Sequence, residues 1–156
     1  MTDRLDILWD IRAIEQVYFR YCEVIDAKAF DDLADVFMAD AVQDYRSSNG
    51  ILEKGLAPLV ERLHRNMGPQ SLCGGTQHNV FNIRVEPDGD QAAAKAHFYA
   101  VHAGREHLEG LRYSCWGQYD DRWRRTPSGW RVAERLYRNF LTEGPVEIIR
   151  GRSACP

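Results

Sequence analysis

Most of the signals that would assign a chemistry outright are missing from this 156-residue sequence. Its four cysteines, Cys22, Cys73, Cys115 and Cys155, stand far apart, without the close pairs of a metal finger or redox motif. That pattern fits free thiols in a reducing cytosol better than a disulfide framework, and no cysteine is expected to take part in the chemistry. No stretch approaches the roughly 18 uninterrupted apolar residues of a membrane span, and no basic segment precedes an apolar run near Met1. Neither export nor anchoring is expected, which implies a cytoplasmic location. Positive charge is also scarce. A net charge of -3 argues against a nucleic-acid or anionic-membrane partner, because neutralising phosphates takes a concentrated basic surface. The short cluster Arg122, Arg124, Arg125 is broken by Trp123 and reads as a solvated strand face.

Catalytic and cofactor signatures are equally sparse. No serine stands in a G-x-S-x-G elbow, and Gly74-Gly75 lacks the further glycine and helix of a nucleotide loop. His97, His102 and His107 are spaced by five, which alternates faces on a strand, and the few carboxylates nearby complete no ligand set. No metal and no cofactor are therefore expected. Repeats, linkers and low-complexity tracts are absent too. A chain of this length buries one core, so 1–156 is expected as a single domain. Its end, 142–156, is a tail that either frays or reaches a neighbouring subunit.

What remains is pattern. Ile7, Ile11, Ile14, Tyr18, Tyr21 and Ile25 recur at steps of four and three, one face of a first helix. Asp31 and Asp32 then look like caps for a short second helix carrying Leu33, Val36 and Phe37, with Asp40 near its end. Residues 41–52 read as a short strand pair around Ser47-Ser48-Asn49-Gly50, and Leu56, Leu59, Val60 and Leu63 mark a third helix. From Gly75 onward the period changes to two. Strands are expected over 76–86, 91–103, 111–124 and 129–141, separated by turns at Pro87-Asp88-Gly89-Asp90 and Thr126-Pro127-Ser128-Gly129. Helices first and an antiparallel meander afterwards imply an α+β fold, with a curved, mainly antiparallel sheet wrapped around the early helices.

Two residues stand out against that frame. Asp26 follows Ile25 at the end of the first helix, a carboxylate at the edge of buried territory that either needs a partner or begins the next turn. His78 lies on the first long strand, where alternation puts His78, Val80 and Asn82 on one face and Phe81, Ile83 and Val85 on the other. His102 shares a face of the next strand with Ala94, Ala96, Phe98 and Ala100, small residues that let helices or a ligand approach. Each histidine alone fits a structural hydrogen bond as well as a site.

Taken together, these pieces resemble the NTF2-like, SnoaL-like superfamily over nearly the whole chain, nearest to the scytalone dehydratase, bile-acid 7α-dehydratase and hexachlorocyclohexane dehydrochlorinase group. The resemblance rests on Asp26 and His78, on the H-x-x-x-N pattern from His78 to Asn82, on Asp44-Tyr45-Arg46-Ser47, on Tyr21 and His102, and on the closing Gly129-Trp130-Arg131-Val132. It implies a cone-shaped fold and a cofactor-free lyase. In such an enzyme Asp26 orients His78 as the base, Tyr45 or Tyr21 donates a hydrogen bond to a carbonyl or oxyanion, and His102 protonates the departing hydroxyl. Asn82, Phe98 and Arg125 would touch a small hydrophobic cyclic substrate such as a polyketide, steroid or aromatic, Arg125 filling the dehydrochlorinase's arginine position or serving as a surface residue. The resemblance also implies a homodimer or homotrimer. The scytalone enzyme carries a tyrosine where this chain has Ile25, and its later serine and asparagine lack counterparts, which argues for a different substrate. The competing class is a non-catalytic ligand-binding or structural protein, like the small subunit of ring-hydroxylating dioxygenases. An isomerase or cyclase would use the same base.

Overall fold

The computed structural model describes residues 3–151. The first helix, α1 (Arg4–Asp26), begins where the Asp3 carboxylate accepts a hydrogen bond from the Leu5 amide, satisfying one of the free donors of the first turn. Its inward stripe is Asp10, Ile14, Tyr18, Tyr21, Val24 and Ile25. The expected stripe holds only from there on: Ile7 is exposed, as are Leu5, Leu8 and Trp9, so the first two turns carry apolar side chains that meet no core.

The expected second helix is shorter than its pattern suggested. Phe30–Asp35 forms a single 3₁₀ segment that buries Phe30 and Leu33, and Phe37 already belongs to a strand, β1 (Phe37–Asp44). The reason lies far along the chain. Backbone pairing with a strand near the C-terminus claims this segment, the Val36 carbonyl accepting from the Val132 amide at 2.8 Å. Phe37, Ala41 and Gln43 are then buried, and Asp40 sits exposed on the strand. One helical turn, α2 (Arg46–Asn49), closed by Gly50 in the left-handed region, leads into β2 (Leu52–Lys54), which pairs antiparallel with β1. The third helix, α3 (Leu56–Met67), buries Leu59, Arg62, Leu63 and Met67.

Four long strands follow as an antiparallel meander: β3 (Cys73–Asp88), β4 (Gln91–Gly104), β5 (Arg112–Thr126) and β6 (Gly129–Glu143). Because β1 joins β6 in parallel, the six strands run β2-β1-β6-β5-β4-β3 in one mixed sheet. One face of it packs on α1 and α3. On β4 that face is Ala92, Ala94, Ala96, Phe98, Ala100 and His102, and the alanines leave room for helix and cavity alike. The chain ends by folding back: a 3₁₀ turn, Val146–Ile149, buries Ile148 against α3, β4 and β5. Residues 152–156 of the expected tail, with Cys155, lie outside the described residues.

One irregularity alters a site expectation. A bulge between Phe81 and Arg84 sets two residues of β3 against one of β4, with Asn82 in the left-handed region at φ 52°. Alternation is reset there. Val85 lies opposite inward-facing Ala94, whereas Asn82 is exposed and its amide donates to His97 Nδ1 at 3.2 Å on the other side of the sheet. The shared face expected for His78 and Asn82 does not exist.

Candidate functional site

Between α1, α3, the concave face of the sheet and the C-terminal 3₁₀ turn lies a cavity of about 300 Å³. A larger groove of about 670 Å³ runs over Arg84, Glu86, Lys95, Asp120, Arg122 and Arg138. Arg138 there pairs with Asp120 at 2.5 Å, and the groove holds none of the expected catalytic or substrate-contacting residues. The cavity does.

Asp26 is the last residue of α1, and β3 passes directly beside it. His78 Nδ1 lies 2.7 Å from Asp26 Oδ1, the His78 backbone amide donates to Oδ2 at 2.9 Å, and the Thr76 hydroxyl donates to Oδ1 at 2.9 Å. Burial pushes the carboxyl pKa up, but the hydrogen bonds from the His78 ring, the His78 amide and Thr76 outweigh it and hold Asp26 below the ordinary carboxylate value. A carboxylate accepting at Nδ1 assigns the proton to that nitrogen and leaves Nε2 with its lone pair. The His78 side chain lines the cavity, and Asp26 backs it from outside the lining.

His102, one strand away, meets His78 edge-to-face with ring centroids 5.2 Å apart. Its Nδ1–H donates to the Tyr113 carbonyl at 3.2 Å, so its Nε2 is also an acceptor. Burial, reinforced by the neighbouring His78, drives the His102 pKa down to about 3. A neutral imidazole whose only N–H is already engaged does not fit the proton-donor role expected of it.

Of the other expected residues, Tyr21, Tyr45 and Phe98 all line the cavity. Tyr21 stands edge-on to His78 at 6.3 Å, and burial raises its phenol pKa far above the ordinary value, so it is a donor and not a phenolate. Tyr45 stacks on Tyr137 at 4.9 Å, and Phe98 stacks on Tyr119 at 4.6 Å and tilts against Tyr137 at 4.8 Å. Arg125 lies elsewhere: it binds Asp10 at 2.8 Å and Asp90 at 3.0 Å and covers the Trp130 ring. The turn 126–128 lengthens the β5–β6 hairpin and keeps that side chain at the hairpin end, away from the cavity.

The sequence reading missed Thr76, Tyr113, Cys115, Tyr119, Tyr137 and Arg62. A signal for several of them was present, since the odd residues of β5 from Tyr113 to Trp123 follow the same alternation that singled out His102. Arg62 is held by a bidentate pair with Glu53 at 2.9 and 2.8 Å and lies over the Tyr45 ring at 4.9 Å. Cys115 lines the cavity as a thiol, its pKa raised by burial. Behind Tyr21 and Tyr119 sits a fully buried ion pair, Arg135 with Asp121, at 3.0 and 2.7 Å. Its guanidinium is 4.6 Å from the Tyr21 ring centre, 3.9 Å from that of Tyr119 and 5.0 Å from that of Phe37. Among the described residues no cluster of three or more His, Cys, Asp or Glu side chains is arranged to hold a metal ion, and no helix is long and apolar enough to cross a membrane.

Residues 6–136 match the SnoaL-like domain, and the chain belongs to that family. It is 34% identical over 139 residues to an uncharacterized protein of Mycobacterium tuberculosis, Rv2910c, a match covering 87% of this chain and 84% of the relative. Among solved structures, a scytalone dehydratase candidate from Novosphingobium aromaticivorans superposes with a TM-score of 0.77 at 25% identity, covering 87% of each chain. A hexachlorocyclohexane dehydrochlorinase, LinA type 2, superposes with a TM-score of 0.76 at 18% identity over 92% of this chain and 93% of that one, a likeness of fold.

Proposed function

We propose that this SnoaL-like protein is a cofactor-independent lyase that eliminates water, or a comparable leaving group, from a small cyclic substrate. The observation that carries the reading is the Asp26 carboxylate on His78 Nδ1 at 2.7 Å, which leaves Nε2 as an acceptor on a largely apolar cavity. A base so held needs no reorientation before it acts. His78 Nε2 removes a proton from the carbon next to a carbonyl. The Tyr21 or Tyr45 hydroxyl donates to the oxygen on which charge develops, a contact worth most in a site of low dielectric. As the double bond forms, the C–O bond to the hydroxyl breaks, and the imidazolium of His78 returns its proton to that oxygen, releasing water and the free base. His102 Nε2 accepts a hydrogen bond from the substrate hydroxyl and orients it. Phe98 forms the apolar wall. In this reading Asn82 and Arg125 touch no substrate.

The scytalone dehydratase candidate and the dehydrochlorinase among the structural relatives support an elimination over other uses of the same base. Exposed Phe81, Phe140 and Leu141 support a homodimer or homotrimer, and a cytoplasmic location is part of the proposal. The test is a panel of cyclic β-hydroxy ketones, steroids and polyketide-like aromatics, followed by mass spectrometry for loss of water. Against the best substrate, His78→Ala is expected to lower kcat/KM roughly a hundredfold or more, with Asp26→Asn also strongly impaired. Near-full turnover by His78→Ala would refute the assignment of the base, and binding without turnover across the panel would favour a ligand-binding protein.

A further inference from the structure

The cavity has a charge asymmetry that elimination chemistry does not use. Its lining includes three arginines, Arg62, Arg65 and Arg150, and no aspartate or glutamate, in a chain whose net charge is -3. Arg62 is neutralised by Glu53. Arg65 and Arg150 form no salt bridge among the described residues. Both are exposed while His78 is nearly buried, so they stand at the solvent end of the same space. The fold brings them together: Gly151, at φ 75°, packs where a Cβ would come within 3.5 Å of Arg65 Cγ, which seats the C-terminal turn carrying Arg150 against the end of α3. Asn49 lies on the same lining, and its carbonyl oxygen is taken by the Ile51 amide, so its NH₂ remains a donor.

From this arrangement we propose that the substrate is an anionic amphiphile: an apolar ring body that fills the cavity, with a carboxylate or phosphate at the mouth held by Arg65 and Arg150. The inference rests on the cavity being the substrate site, as argued above. Guanidinium forks match either anion in two-point geometry, and an arginine without a protein carboxylate is left to bind one from outside. Low-dielectric walls behind the pair concentrate its field at the entrance. A ring held at one end by its charge presents a fixed carbon to His78.

The experiment measures calorimetric affinity for three probes sharing one ring: naphthalene-2-acetate, its methyl ester and 2-naphthyl phosphate. Wild-type protein is expected to bind at least one anion about tenfold or more tightly than the ester, a preference that shrinks with added salt. The acetate and phosphate arms distinguish the two sources of charge. In the Arg65→Gln, Arg150→Gln double variant the preference is expected to vanish while ester affinity stays within about twofold. In His78→Asn it should persist, which separates this inference from the assignment of the base. Equal binding of acid and ester, no saturable binding of either anion, or a preference that survives the double substitution overturns the proposal.

Discussion

Replacing Asp121 by asparagine keeps the shape of the side chain and removes the charge that balances Arg135. Both side chains are fully buried, so the remaining guanidinium cannot turn to water. Breaking a buried pair from one side costs about 3–5 kcal/mol. Three ring faces around Arg135, at 3.9 to 5.0 Å, offset part of this, since a desolvated cation–π contact contributes on the order of 1–2 kcal/mol. The expected cost is therefore near the lower end, about 3 kcal/mol. For a chain of this size that corresponds to a fall in Tm of roughly 6–12 °C. Urea titration followed by tryptophan fluorescence, with buried Trp123 as a reporter, gives the free energy directly. The double replacement Asp121→Leu, Arg135→Met takes the charge out of the core altogether and should recover most of the loss. The reasoning fails if Asp121→Asn costs less than about 1 kcal/mol, or if the double variant is no more stable than the single one.

Acid should weaken the fold through His102. Its folded pKa, about 3, lies below the ordinary value of 6.5, so as pH falls through 6.5 the unfolded chain takes up a proton that the folded chain refuses. Stability is lost progressively between pH 6.5 and 3, by about 2 kcal/mol already at pH 5. Wild type should lose about that much more than His102→Gln between pH 7 and 5, and parallel urea curves for the two proteins would contradict the assignment. At Gly117 a Cβ would meet the Arg138 carbonyl oxygen and come within 2.6 Å of the Phe98 ring, so Gly117→Ala must push apart the stack that walls the cavity. A loss of about 1–3 kcal/mol is expected by thermal denaturation, and an unchanged Tm would show that the strand yields freely.

Features that depend on neighbours in the chain were legible without coordinates. The stripe of α1 from Ile14 to Ile25, the turns at 87–90 and 126–129, and the four meander strands follow from local periodicity and turn chemistry. The positions of Asp26 and His78 follow from the same rules, one at a helix end and one at an inward strand position. Three things were not legible because remote partners decide them. Phe37 became a strand residue through its pairing with Val132. Asn82 left the inner face because a bulge costs one residue of register, which composition does not announce. Arg125 follows the hairpin end, where Asp10 and Asp90 supply the charges that hold it.

The parallel junction of β1 with β6 also governs when the protein can exist. Ser47 donates a hydrogen bond to the Tyr137 carbonyl 90 residues later, and Gln43 lies opposite Arg135 across the same junction. During synthesis at about 5–20 residues per second, the helices and the apolar half of β1 emerge several seconds before the strand that covers them. Closing a loop of that length costs more entropy than closing the hairpins between neighbouring strands, so the β1–β6 junction is expected to be the last part of the sheet to form. A chain ending before β6 would lack Tyr137 and the strand that joins β1 and β2 to the rest of the sheet, so the cavity would stay open on that side even though Asp26 and His78 had long since been made.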